Sequence, residues 1–133
     1  MSKFDAKTSD QTAAITSKWD DAVSSGFTAV PNALIKSQSH LGITASELNV
    51  LLNLLLHWWF KSDLPFPSSN TISRRTGMEI RTVQRHLKSL RRKNYIEKIK
   101  VNDKNVYSFE GLKVALEKFS NEDIWSSLKS RHT

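Results

Sequence analysis

Cysteine is absent from the 133 residues, so disulfides and thiolate metal sites are excluded and a reducing compartment is permitted. Long apolar runs are absent as well. The longest, Val50 to Phe60, is broken by Asn53 and His57 and falls far short of the roughly 20 residues that span a bilayer. The N-terminus has no basic-then-apolar leader, so secretion is not expected and a cytoplasmic location is. His40, His57, His86 and His132 are scattered without a second ligand at metal spacing, so no metal site is expected. There is no glycine-rich phosphate loop, no Ser-His-Asp pattern and no paired carboxylates. The expectation is a protein that is not an enzyme and needs no cofactor. Acidic residues are also few, 13 against 20 Lys and Arg, and the formal net charge is +7. A polyanionic partner, nucleic acid or acidic membrane, follows from that balance.

The positive charge is local. Ten Lys and Arg lie between Ser73 and Lys100, and only Glu79 and Glu97 oppose them, which makes +8. The rest of the chain therefore sums to −1. The same stretch reads as a short helix, a glycine turn and a second, amphipathic helix. Ser68 is a candidate N-cap for a helix from about Ser69 to Thr76, Gly77 supplies the turn, and the second helix runs from about Glu79 to Lys93. Asn94 suits a left-handed helix stop. Tyr95 to Val101, a turn at Asn102 to Asn105, and Val106 to Phe109 then form a β-hairpin.

Upstream, residues 1–26 are polar, with three Lys against four Asp, and a flexible tail is expected. Ile15, Trp19 and Val23 recur at four-residue spacing, which would let a helix form there against a protein partner. Phe27 to Val30 precedes Pro31 and should be extended. A short helix follows over Asn32 to Ser37, with Leu34 and Ile35 inward. Thr44-Ala-Ser-Glu47 is a capping box that opens a long helix reaching about Phe60. Leu48, Leu51, Leu52, Leu55, Trp58 and Trp59 are its expected core face. Pro65 and Pro67 flank Phe66 in a linker. Leu112, Leu116 and Phe119, and beyond a cap at Ser120 also Ile124, Trp125 and Leu128, form apolar helical stripes. These stripes either close the same core or make a homodimer interface.

In the helix after Gly77, Ile80, Val83, Leu87 and Leu90 define a buried stripe. Arg81, Arg85, Lys88, Ser89 and Arg92 lie opposite, and Thr82 and Gln84 flank them. Such a helix can lie in the major groove of duplex DNA. Arg81, Thr82, Gln84 and Arg85 are the candidates for base contact. Ser69, Asn70, Arg74, Arg75, Lys88, Ser89, Arg91, Arg92 and Lys93 are the candidates for phosphate contact. Lys98, Lys100 and Lys104 would charge the hairpin.

This order of elements resembles the winged helix-turn-helix domains of bacteria, phages and plasmids. Phe27-Thr-Ala-Val-Pro-Asn-Ala-Leu34 with the capped long helix is similar to the start of such domains in phage replication protein O and DnaD-like proteins. Pro67 to Gly77, Arg81 to Leu90 and Asn94-Tyr-Ile96 resemble the core shared with MarR-like regulators. Glu79 departs from the Ser or Asp usual at that cap, and Asn94 from a common Gly. The resemblance covers about residues 27–112. The expected fold is mainly α with a small β-hairpin wing: a tail over 1–26, a winged helix-turn-helix over 27–110, and C-terminal helices over 111–133. The expected function is sequence-specific binding of double-stranded DNA, as a transcriptional regulator, most simply a repressor. The alternatives are a plasmid or phage replication or maintenance factor at origin repeats, and a winged helix used for protein contact.

Overall fold

Among the described residues, eight helical and strand segments and one 3-10 turn follow one another along the chain. The computed structural model describes residues 3–58 and 66–120, with side chains from Asp10 onward. They comprise α1 (Lys3–Trp19), a 3-10 turn (Asp20–Val23), α2 (Asn32–Lys36), α3 (Ala45–Trp58), α4 (Ser69–Thr76), α5 (Ile80–Arg92), β1 (Glu97–Val101), β2 (Lys104–Ser108) and α6 (Glu110–Phe119). Trp59, Pro65, Ile124, Trp125 and Leu128 lie outside the described residues. Among those described, no helix is long and apolar enough to cross a membrane.

Local chemistry sets most of the boundaries. The Thr44 amide donates to Glu47 Oε1 at 2.9 Å, and the Glu47 amide donates to Thr44 Oγ1 at 3.1 Å, closing the capping box that starts α3. The Ser68 hydroxyl accepts from the Thr71 amide and starts α4. Gly77, at φ +79°, ends α4 with its amide on the Ser73 carbonyl. Asn94, at φ +65°, ends α5. The Tyr95 amide reaches the Leu90 carbonyl and the Asn94 amide the Arg91 carbonyl, a Schellman arrangement that also sets Tyr95 beside Leu90.

The core lies between α3, α4 and α5 and is roofed by α6. Leu34, Val50, Leu51, Leu54, Ile72, Val83 and Leu90 are fully buried in it. Leu112 and Leu116 are buried in the same cluster and Phe119 packs against it. These three therefore pack on the chain's own core, one of the two expectations for this segment. Val114, on the outer side of α6, is 52% exposed.

Other expectations also shift. The buried face of α3 is Glu47, Val50, Leu51, Leu54 and Leu55, one step around from the stripe counted on leucines. Leu48 is half-buried and Trp58 is 45% exposed, its ring meeting Phe109 edge-on at 5.5 Å. Ile35 is 61% exposed while its neighbour Leu34 is fully buried, because α2 is a single turn and turns only one side inward. Ile80 is 42% exposed at the first position of α5, where no preceding turn covers it. The segment expected as a tail is helical over α1, although Trp19 is 62% exposed. Asp20 adopts φ +50°, so α1 stops there and Val23 does not continue the line of Ile15 and Trp19.

The hairpin turn is tighter than four residues. Asn102 and Asp103 both have positive φ, +52° and +65°, the signature of a two-residue type I′ turn that matches strand twist. Lys104 and Asn105 consequently belong to β2 and pair with Val101 and Lys100.

Gly111 occupies the first turn of α6, a position where glycine weakens a helix. A Cβ there would stand 1.6 Å from the Asn94 carbonyl oxygen, so α6 can seat against the end of α5 only through a bare backbone. Gly111→Ala is expected to lower stability by about 2–3 kcal/mol despite alanine's better helix propensity. An unchanged thermal midpoint would show that α6 can shift away without loss.

Candidate nucleic-acid interface

The turn between α4 and α5 is braced by small hydroxyl side chains. Ser73 Oγ donates to the Met78 carbonyl at 2.6 Å, Thr76 Oγ1 to the Ile72 carbonyl at 2.7 Å, and the Met78 amide to Thr76 Oγ1 at 3.2 Å. These bonds hold Gly77 and Met78 in one geometry and launch α5 at a set angle. Glu79 is the N-cap of α5 in extended conformation, but its carboxylate makes no capping bond and stays exposed.

The far end of α5 is held by α3. Glu47 is only 2% exposed. It receives Lys93 Nζ at 2.9 Å and Ser89 Oγ at 2.6 Å, in addition to the Thr44 amide. Lys93 Nζ also donates to the Gly42 carbonyl at 2.6 Å, and the Tyr95 hydroxyl donates to the Leu41 carbonyl. Burial alone would raise the Glu47 pKa, but the hydrogen bonds from Lys93, Ser89 and Thr44 outweigh it and hold the group at about 2. Ser89 and Lys93, expected among the phosphate contacts, are turned inward to this carboxylate. Their 42- and 46-residue separations from Glu47 gave no sequence signal for the pairing.

That clasp decides which arc of α5 faces out. Val83, Leu87 and Leu90 are buried, and the Ser89–Lys93 side is closed against α3. Arg81, Gln84, Arg85, Lys88, Arg91 and Arg92 are exposed, and Thr82 is half-buried. Among the described residues, none of the arginines and neither Lys88 nor Gln84 in this arc has a hydrogen-bond or ion-pair partner. Unpaired cations keep their charge available to a polyanion.

On α4, Arg74 is exposed and reaches only Thr71 Oγ1, at 3.4 Å. Arg75 is engaged, with contacts to Asn53 Oδ1 at 3.3 Å and His57 Nε2 at 3.2 Å that tie α4 to α3. Ser69 is half-buried and Asn70 exposed at the N-terminus of α4.

The wing lysines divide between two faces. Lys98 pairs with Tyr107 and Lys100 with Asn105, so these four side chains share one face of the hairpin. Lys104 pairs with Val101 on the other. Burial pushes the Tyr107 phenol up while the Arg91 cation pulls it down. Arg91 and Lys98 in fact line one notch of about 470 Å³, together with Asn94, Ile96, Glu97 and Gly111. Basic surface therefore runs from α5 to the base of the wing, with Lys104 set apart from it. Phe66 anchors the hairpin, its ring 5.4 Å from Tyr107 and 6.2 Å from Phe109.

A helix pair with a braced turn, a cationic second helix and a two-stranded wing define a winged helix-turn-helix protein. Residues 41–96 match the family model of a helix-turn-helix domain. The fold is similar to the crystal structure of the N-terminal domain of DnaD protein from Geobacillus kaustophilus HTA426, with a TM-score of 0.58 and 21% identity, over 87% of this chain and 96% of that one. A search of curated proteins finds no match. The helix-turn-helix match supports DNA as the partner and agrees with the basic surface described above.

The Glu47 clasp has a pH signature. A carboxylate held at about 2, against an ordinary 4.5, stabilises the fold above pH 4.5 and loses that contribution as pH falls from about 4.5 towards 2. The difference amounts to about 3 kcal/mol at neutral pH. Glu47→Gln should be less stable at pH 7 by up to that amount and should flatten the acid limb in urea unfolding measured between pH 2 and 7. An acid limb identical to wild type would remove Glu47 as its source.

Proposed function

We propose that this protein binds double-stranded DNA sequence-specifically, with α5 in the major groove, and acts as a transcriptional regulator, most simply a repressor by occupancy. The observation that carries the reading is the outer arc of α5, where Arg81, Arg85, Lys88 and Arg92 are exposed opposite the buried stripe and Arg91 is exposed beside it. Arg81, Thr82, Gln84 and Arg85, nearest the N-terminus of α5, reach base edges, with arginine suited to bidentate contact with guanine. Lys88, Arg91 and Arg92 meet phosphates, joined by Arg74, the Ser69 and Asn70 amides, and Lys98 and Lys100 of the wing. Ser89, Lys93 and Arg75 support the surface from behind.

A second reading is favoured by the likeness to the DnaD N-terminal domain across most of the chain: a replication or maintenance factor that binds origin repeats. Selection of bound sites from random duplex DNA, followed by mapping on the source genome, separates the two. Promoter sites support the regulator, and clustered origin repeats support the replication factor. Loss of all selectivity would overturn both.

Two substitutions test the division of labour along α5. Arg85→Ala should cost roughly 1–3 kcal/mol on the selected site and relax discrimination there. Equal weakening on selected and random DNA would take Arg85 off the list of base contacts. Lys88→Ala should weaken both DNAs and reduce the slope of log affinity against log salt by about one. An unaltered slope would exclude a phosphate contact.

A further inference from the structure

Beside its core face, α3 carries a second apolar line, Leu48, Leu52 and Leu56, spanning about 12 Å of helix. With Ile35 of α2 and the extended residues Thr28 and Val30, it lines an open groove of about 410 Å³. Ile35 is 61% exposed and Leu56 39%, and Phe27, next to the groove wall, is 46% exposed. Large aliphatic and aromatic groups gathered on one surface mark an interaction site, whereas single exposed ones do not.

The same chain presents an apolar counterpart. Ile15 and Trp19 stand one turn apart on α1, Trp19 is 62% exposed, and no residue from Asp10 to Val23 is buried. The arm is tethered beside the groove, since only residues 24–27 separate Val23 from the wall residue Thr28. Yet the backbone turns through left-handed conformations at Asp20 and Gly26, φ +50° and +107°, and α1 leaves its own groove uncovered.

We propose that the groove receives α1 of a second copy, with Trp19 as the anchor, in a reciprocal twofold exchange of arms. A helix laid in an apolar groove reads as anchors one turn apart, as Ile15 and Trp19 are. The twofold repeats every contact. Two tryptophans of roughly 150–250 Å² each, with their Ile15 and groove partners, bring the buried area towards the roughly 1,000 Å² that a stable interface needs. The exchange leaves α5 and the wing untouched, so the dimer presents two basic surfaces related by the same axis.

The test exploits the absence of cysteine from the chain. A tagged copy carrying Lys18→Cys, beside Trp19, is mixed with an untagged copy carrying Thr28→Cys at the groove wall, and a short bismaleimide is added. The expected product is a tagged–untagged conjugate that is lost when Trp19→Glu is added to the first copy or Leu56→Glu to the second. In sedimentation, wild type should be dimeric at micromolar concentration and each Glu variant monomeric with an unchanged far-UV spectrum. Dimers that persist in both Glu variants, or a wild-type monomer, would overturn the proposal. So would linkage seen only when both cysteines are on one chain, which would mean that the arm folds back on its own groove. Site selection on random DNA by the monomeric variants keeps this outcome separate from DNA binding itself.

Discussion

One buried carboxylate governs the presentation of the basic helix. Glu47 caps α3 through Thr44, and its remaining lone pairs are taken by Lys93 and Ser89 from the last turn of α5. A carboxylate in the core without these donors would be costly, and with them it is a fixed joint between two helices. The joint sets the rotation of α5 about its axis. It directs Ser89 and Lys93 inward and leaves the arc from Arg81 to Arg92 to solvent.

The other end of α5 is set independently, by the hydroxyl-braced turn at Gly77. A helix held at both ends presents its outer arc without a further cost for ordering the helix itself. α6 adds a third constraint by seating Gly111 on the Asn94 carbonyl, which locks the start of the wing to the end of the helix. Arg91 and Lys98 line the same notch there, although one lies on a helix and the other on a strand.

The likeness to a DnaD N-terminal domain concerns architecture, at 21% identity, and the charge is distributed by this chain's own residues. The protein has two distinct surfaces. One, basic and turned outward by the clasp, suits a polyanion. The other, apolar and lined by Leu48, Leu52 and Leu56, lies next to an arm that carries an exposed tryptophan. Partition of charge and apolar area between the two faces of one small core lets either be altered without disturbing the other.

Much of this was legible in the sequence because it is written in short-range chemistry. The capping box at Thr44, the Ser68 cap, Gly77 and Asn94 each act within a few residues, and all four helix boundaries stand where those signals put them. The buried stripe of Val83, Leu87 and Leu90, with the charge concentrated opposite it, follows from helical periodicity alone. What required the tertiary structure were contacts between residues far apart in the chain. Periodicity counts leucines but does not say how far round α3 the core reaches, and so Leu48 and Leu52, read as core, are only half-buried, while Val50 and Leu54 are fully buried. Composition suggested an irregular N-terminal segment where a helix stands. Ser89 and Lys93 read as solvent-facing because their partner lies more than 40 residues away, and Leu112 and Leu116 left open whether their cover was their own core or another chain. The sequence by itself determined that a basic helix-turn-helix with a wing would form. Only the packing of α3 and α6 against α5 decided which of its cations are free to meet DNA, because a side chain's availability depends on every group that reaches it in three dimensions.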